Sequence, residues 1–112
     1  MKKREFYRLH SDVCKTLANP KRQEILDYLR TGEMTVNQLV DRMKISQANI
    51  SQHLSILRSK GIVSVRREGI NMFYSLANPK IIEAFDLISH VLKDSLADQT
   101  QTVSAAMKMK KE

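Results

Sequence analysis

The sequence has little of what stabilises secreted proteins: its 112 residues include one cysteine and no tryptophan, with only three glycines and two prolines. The single cysteine, Cys14, excludes a disulfide within the chain and is typical of a reducing compartment. No apolar run is long enough to cross a bilayer, and no apolar core of a signal peptide follows the basic start. We therefore expect one cytoplasmic domain with a buried core.

Acidic residues are missing from the middle of the chain. The 19 Lys and Arg outnumber the 12 Asp and Glu, which gives a net charge of +7, and no acidic residue lies between Asp41 and Glu68. The basic residues of this interval are Arg42, Lys44, Arg58, Lys60, Arg66 and Arg67. Such a segment is typical of a surface that neutralises nucleic-acid phosphates. A solvated basic face is the alternative.

Apolar residues at helical spacing predict a first helix over about residues 5–18. A second helix is predicted to follow the cap residue Asn19, with Pro20 at its first position, and to run to about Arg30 before Gly32 stops it. The start of the chain is therefore helical.

The next two helices are predicted to be joined by a very short turn. Thr35 and Gln38 make a capping box for the third helix. Only Lys44 and Ile45 remain between that helix and Ser46, which caps the fourth. Two short helices joined so tightly predict a helix-turn-helix.

The segment from Ser46 to Gly61 is predicted to be the recognition helix. Ile50, Leu54 and Leu57 fall at i, i+4 and i+7, which gives a narrow apolar stripe. The opposite face is small, polar and almost uncharged, as close approach to base edges requires. We expect Ser46 to cap the helix and contact a phosphate. The residues expected to reach base edges or backbone are Gln47, Asn49, Ser51, Gln52 and Ser55, and those expected to hold phosphates are Arg58, Arg66 and Arg67.

A period of two after Gly61 predicts a β-hairpin with its turn around Gly69. Placed directly after a recognition helix, this hairpin forms a wing. A last helix is predicted from Asn78 to near Ala97, and its apolar stripe is too wide for one small domain to cover. We therefore predict a homodimer that pairs through the first and last helices, in a domain of residues 1–97 followed by a basic, flexible tail of residues 98–112.

The predicted order is mostly α with one β-hairpin, α-α-α-α-β-β-α, and it resembles the ArsR/SmtB family of winged helix-turn-helix repressors. The segments that carry the resemblance are Leu-Ala-Asn-Pro-Lys-Arg-Gln-Glu-Ile-Leu at 17–26, the recognition helix at 46–61, Arg-Glu-Gly at 67–69 and Phe-Tyr-Ser-Leu at 73–76. The resemblance covers about residues 12–95. It implies a dimeric repressor that occupies a pseudo-palindromic operator in double-stranded DNA and so blocks polymerase.

The chain departs from the family pattern at the wing tip and at both familiar metal sites. Ile70 stands where members often carry a basic residue. The thiolate positions of the third helix are Thr35 and Asn37, and the Asp-x-His of the last helix reads Asn78-Pro79-Lys80. Both sites are therefore absent by residue identity, and we predict no metal or other cofactor.

Three residues, His10, Cys14 and His90, remain as candidates for a signal site. Cys14 follows His10 by one helical turn, and a dimer would bring His90 nearby, so a soft-metal or redox site is one interpretation. A small core residue is the more frequent role of a cysteine beside an apolar stripe. His53 is expected to be structural.

Two other functions compete with repression. A winged helix that uses its basic face to bind an acidic protein, without specific DNA recognition, is the main alternative. An enzyme is not expected, because three histidines and one cysteine occur at no spacing that assembles a nucleophile with its base. The residues do not identify an inducer.

Overall fold

The structure is a computed structural model that describes the backbone of residues 1–111 and their side chains, except those of residues 102, 103 and 109–111. In chain order the elements are α1 (Lys3–Leu17), α2 (Pro20–Leu29), α3 (Val36–Met43), α4 (Gln47–Ser59), β1 (Val63–Glu68), β2 (Asn71–Leu76) and α5 (Lys80–Lys111). This order confirms the predicted succession of helices and strands. The chain divides into two compact units, Met1–Ile81 and the part from Ile82 onward.

Side-chain caps fix the starts of three helices where the sequence predicts them. The Asn19 side chain accepts two N–H groups of the first turn of α2 at 3.0 and 3.1 Å. Thr35 and Gln38 form the reciprocal capping box of α3, with bonds of 3.2 and 2.8 Å. Ser46 Oγ accepts the N–H of Asn49 at 3.1 Å at the start of α4. Each cap contributes about 1 kcal/mol to stability.

A single left-handed residue makes the tight turn between α3 and α4. Lys44 has a φ of 58°, and its N–H donates to the carbonyl of Val40 at 2.9 Å. This closes α3, and the extended Ser46 then starts α4 two residues later. The predicted helix-turn-helix is therefore present.

The core of the first unit is aliphatic and includes the whole apolar stripe of α4. Ile50, Leu54 and Leu57 each have an exposed fraction of 0%. The other buried apolar residues of this unit are Ile25, Leu26, Leu29, Leu39, Met43, Ile62 and Val63. Burial of one such side chain contributes about 1.5–3 kcal/mol, so the stripe fixes which face of α4 remains in solvent.

The two strands form an antiparallel hairpin with a two-residue turn. Val63 lies opposite Leu76 at the base and Glu68 lies opposite Asn71 at the tip. Gly69, with a φ of 62°, supplies the left-handed position of the turn. On the other side of β2, Met34 exchanges two backbone hydrogen bonds with Tyr74 at 2.9 and 2.8 Å. At Tyr74, β2 is therefore hydrogen-bonded along both of its edges.

The last helix is longer than predicted. The expected end near Ala97 is wrong, because α5 continues to Lys111. Residues 98–111 contain neither Gly nor Pro and include several strong helix formers, so nothing in them stops the helix. The boundary between a domain of residues 1–97 and a flexible tail of residues 98–112 stays a prediction, and residue 112 lies outside the described residues.

Two helices each carry an exposed apolar face. On α1 the large apolar residues in solvent are Phe6, Tyr7 and Leu9. On α5 they are Leu87, Ile88, Val91, Leu92, Leu96 and Met107. Contiguous exposed apolar surface on a helix is typical of a protein interface. In the part of the chain that the structure describes, none of the helices has the length and apolar character that crossing a membrane requires.

Candidate nucleic-acid interface

The solvent face of α4 carries short polar side chains that have no hydrogen-bond partner among the described residues. The residues of this face that were predicted to contact DNA, Gln47, Asn49, Ser51, Gln52 and Ser55, are all exposed. Within the described residues, none of their side-chain amides or hydroxyls forms a hydrogen bond. Unpaired amides and hydroxyls on a helix of this kind can donate to and accept from the edges of bases in a major groove. We name these five residues the recognition face.

The start of α4 favours an anion. Ser46 is exposed, and its Oγ already accepts the N–H of Asn49, so its hydroxyl proton stays available as a donor. The N-terminus of a helix carries partial positive charge and free N–H groups. A DNA backbone phosphate beside Ser46 would accept a hydrogen bond from its hydroxyl and would lie at the positive end of the helix.

Four of the basic residues around α4 are free to bind phosphate. Among the described residues, no carboxylate lies within 4 Å of them: they are Arg42, Arg58, Lys60 and Arg67, all exposed. Lys44 differs from these four residues, because its Nζ lies 3.7 Å from Oδ1 of Asp41 and forms an ion pair with it. Arg58 in the last turn of α4 and Arg67 on β1 therefore present unneutralised charge, and their binding to phosphate stays a prediction.

Arg66 is in a different situation from Arg67. Its guanidinium donates to Glu33 at 2.5 Å and to Glu68 at 2.6 Å, and it lies over the Phe73 ring with its central carbon 4.6 Å from the centroid. The hydrogen bond from Arg66 lowers the pKa of the Glu33 carboxyl, and the two carboxylates raise the pKa of Arg66. We call this group the wing clamp, because it joins β1 to the segment that precedes α3.

The register of the hairpin explains the clamp. Arg66 faces Phe73 directly across the sheet, whereas Arg67 faces Met72. Successive side chains on a strand point to opposite faces, so the two arginines lie on different sides of the wing. Arg66 crosses over β2 to Glu33, which precedes the Met34 that pairs with β2.

A second charged contact connects α4 to the helices before it. The Arg22 guanidinium donates to His53 Nδ1 at 3.4 Å and to the carbonyl of Thr16, near the end of α1, at 3.0 Å. Burial, followed by the charges of Arg22 and Lys21, lowers the pKa of His53. His53 is half-buried, as a structural residue should be. The sequence reasoning missed Arg22 and Glu33, because their partners are 31 and 33 residues away and no local pattern marks them.

Two of the three candidates for a signal site, Cys14 and His10, lie together on α1. Cys14 Sγ lies 3.5 Å from His10 Nδ1 on α1, and Cys14 is exposed, so its expected role as a small core residue is wrong for this chain. Helical spacing places Cys14 next to the apolar stripe of α1, but in the structure that side of α1 is exposed to solvent. His90 is exposed and belongs to the second compact unit. The described residues contain no cluster of three or more potential metal ligands.

The two familiar metal positions have other roles here. Thr35 accepts a capping hydrogen bond at the start of α3, and Asn37 is exposed. Asn78 Oδ1 accepts the N–H of Lys80 at 3.0 Å at the start of α5, as Asn19 does for α2. Thr35 and Asn78 are therefore explained by local helix geometry, as residues that cap a helix.

A tight helix-turn-helix, followed at once by a clamped β-hairpin, defines a winged helix-turn-helix domain of the DNA-binding type. The family described as "Bacterial regulatory protein, arsR family" matches residues 19–65. The chain belongs to the ArsR family. The predicted family and fold class are thereby confirmed.

Relatives with known sequences or structures agree with this assignment. The HTH-type transcriptional regulator Rv0081 of Mycobacterium tuberculosis is 36% identical over 100 residues, which is 88% of each chain. Its crystal structure gives a TM-score of 0.79 over 85% of this chain and 96% of that one. A homodimeric winged helix-turn-helix DNA-binding domain from Mycobacterium bovis is 31% identical, with a TM-score of 0.76 over 83% of this chain and 86% of its own. The transcriptional repressor SdpR of Bacillus subtilis is 38% identical over 59% of this chain and 73% of its own.

These findings bear on the competing classes. The family consists of regulatory proteins, and the relatives are named as transcriptional regulators or repressors. The prediction that the chain is not an enzyme is therefore confirmed by its family.

Proposed function

We propose that the chain is a homodimeric, sequence-specific DNA-binding transcriptional regulator that acts as a repressor and is released by a signal not yet identified. The observation that carries the proposal is the recognition face. It consists of five exposed polar side chains, without a hydrogen bond to any residue the structure describes, on a helix whose opposite side is fully buried. A fixed helix that presents unsatisfied amides and hydroxyls is suited to the donor and acceptor pattern of a major groove.

In this proposal, α4 lies in the major groove with Gln52 and Ser55 near its centre of contact. Ser46, Arg58 and Arg67 bind backbone phosphates on either side of the groove. Arg66 positions the wing instead of holding a phosphate, because its charge is already shared with Glu33 and Glu68. This assignment replaces the role that the sequence predicts for Arg66.

The homodimer accounts for the exposed apolar faces of α1 and α5. A second copy would cover them, and the M. bovis domain of similar fold is homodimeric. A two-fold dimer presents two recognition helices related by the same symmetry, so the operator is a pseudo-palindrome with half-sites about one helical turn apart. As a DNA-binding regulator of this family, the protein would act in the cytoplasm.

We also propose that DNA binding needs no metal or other cofactor. The positions of both familiar metal sites carry residues that cap helices or lie in solvent, namely Thr35, Asn37 and Asn78. Cys14 with His10 supplies one thiol and one imidazole, fewer ligands than a closed metal site uses. Addition and chelation of Zn²⁺ should leave the affinity for DNA unchanged.

The test first uses the chain to select a DNA duplex from a random pool. Fluorescence anisotropy then measures the affinity of the chain for the selected duplex and for random duplex at several salt concentrations. We expect strong preference for the selected duplex and a steep loss of affinity with salt. Equal binding to both duplexes would overturn the proposal.

A matched pair of variants assigns the interface. Gln52→Glu with Ser55→Glu should abolish binding, since two carboxylates would face the groove. Gln101→Glu with Ser104→Glu introduces the same residues at the same spacing on the exposed distal part of α5 and should bind normally. If repression in cells survived the first pair, a protein partner rather than DNA would be the target of this face.

A further inference from the structure

The tip of the wing is an isoleucine that is almost completely in solvent. Ile70 has an exposed fraction of 98% and follows Gly69 in the two-residue turn between β1 and β2. It is one of the two residues beyond the last strand pair, Glu68 and Asn71, at the end of the hairpin opposite Val63, which is 2% exposed. The tip therefore presents to solvent an aliphatic side chain that none of the described residues covers.

Neither packing nor turn geometry requires an isoleucine at this position. Gly69 provides the left-handed conformation that the turn needs, and polar residues are the usual choice in hairpin turns. A β-branched apolar side chain here gains no burial in the folded chain. Residues that depart from local rules in this way concentrate at functional sites.

The wing is held so that its tip has a defined position relative to α4. At the base, the N–H of Ile62 donates to the carbonyl of Leu57 at 3.0 Å, so β1 starts directly from the end of the recognition helix. Farther out, the wing clamp joins Arg66 to Glu33. The same clamp engages Glu68, the acidic residue nearest the tip, at 2.6 Å, which reduces its repulsion of phosphate.

We propose that Ile70 enters the minor groove beside each half-site and makes an apolar contact there that adds specificity for A·T pairs or for easily deformed steps. The minor groove of A·T lacks the amino group that guanine places in it, and aliphatic side chains are used elsewhere to contact or wedge apart base steps. Asn71 is exposed beside the tip and has an amide that suits the acceptors of the same groove. The inference rests on the proposed DNA binding.

The test compares the unmodified chain with Ile70→Ser and Ile70→Leu on the duplex selected by the unmodified chain. Loss of the apolar contact should weaken binding about fivefold per wing, and thus about 25-fold for a dimer. The slope of affinity against salt should not change, because no phosphate contact is lost. Ile70→Leu should bind within about twofold of the unmodified chain.

A modified base identifies the groove. Replacement of adenine by 2,6-diaminopurine, one A·T pair at a time beside the half-sites, adds an amino group to the minor groove and leaves the major-groove pattern unchanged. At the pair under the wing, this change should weaken the unmodified chain and leave Ile70→Ser unaffected. Circular dichroism melts should show that all three proteins fold alike.

The outcomes separate the two proposals. If the unmodified chain prefers the selected duplex but Ile70→Ser binds equally well, the role of Ile70 is overturned and the proposed function stands. Equal weakening of the unmodified chain and Ile70→Ser by diaminopurine at every pair likewise overturns it. If the unmodified chain has no preference for the selected duplex, both proposals are overturned.

Discussion

Arg66 and Arg67 are adjacent in sequence, yet the structure predicts that removing Arg67 changes the salt dependence of DNA binding and that removing Arg66 together with its partner Glu33 does not. Arg67 has no carboxylate partner among the described residues, whereas Arg66 is paired with Glu33 and Glu68. Only a cation that neutralises a phosphate releases counterions from DNA when the protein binds.

The magnitude follows from counting phosphates. Each neutralised phosphate adds about 0.9 to the slope of log affinity against log salt, so Arg67→Gln in a dimer should flatten the slope by about 1.8. The paired change of Glu33→Gln with Arg66→Gln removes one charge of each sign, so the net charge stays at +7. It should leave the slope unchanged while it weakens binding by a similar factor at every salt concentration, since the wing loses its clamp.

The assay is fluorescence anisotropy on the selected duplex from about 50 to about 400 mM salt, a range over which phosphate contacts change affinity by orders of magnitude. If the variant with Glu33→Gln and Arg66→Gln had a slope of log affinity against log salt as flat as that of Arg67→Gln, the reasoning would be refuted. Such a slope would mean that the wing clamp opens when the protein binds DNA and that Arg66 then neutralises a phosphate.

Three further predictions concern stability. Leu54→Ala should lower the free energy of unfolding in urea by about 2–5 kcal/mol, since Leu54 is 0% exposed; the exposed Ser55→Ala on the same helix should change it by less than about 0.5 kcal/mol. Lys44→Gly should raise the free energy of unfolding by up to about 1 kcal/mol, because φ is 58° there, whereas Lys60→Gly, at a φ of −96°, should lower it. Burial lowers the pKa of His53 below its ordinary value of 6.5. As the pH drops from 6.5 towards the pKa of the folded state, His53 is protonated in the unfolded chain before it is protonated in the folded one, so the free energy of unfolding falls. His53→Gln should remove this contribution, so the free energy of unfolding in urea should fall less with pH in the variant than in the unmodified chain over the same range.

The features that the sequence predicts well are those that depend on residues within one helical turn of each other. The Thr35 and Gln38 capping box, the Ser46 cap and the stripe of Ile50 and Leu54 all join positions three or four residues apart. Helix geometry alone brings such residues together, so their spacing is enough to predict the helix-turn-helix and the face that it leaves in solvent.

The features that it does not predict depend on distant partners. Arg66 meets Glu33 only because Met34 joins β2 as an edge residue and the hairpin register sets Arg66 opposite Phe73. Its neighbour Arg67 has the same side-chain chemistry, so composition could not distinguish a clamp from a free cation. The contact of Arg22 with His53 is hidden for the same reason.

The last helix shows a different limit. The apolar stripe that predicts α5 fades after Leu96, which marks the end of the amphipathic pattern and not the end of the helix. Helix ends need a breaker or a cap, and the residues that follow contain neither Gly nor Pro. The apolar stripe in a sequence therefore predicts which part of a helix packs against another surface, but it does not predict where the helix ends.

The central claim, that two copies of α4 contact the bases of a two-fold operator, is tested most directly by selecting DNA from a random pool with the unmodified chain and with Gln52→Ala. We predict an inverted repeat with half-sites about 10 base pairs apart, in which Gln52→Ala loses the base preference at one equivalent position of each half-site and keeps the rest. A motif without two-fold symmetry, or one that is the same for both proteins, would contradict the claim.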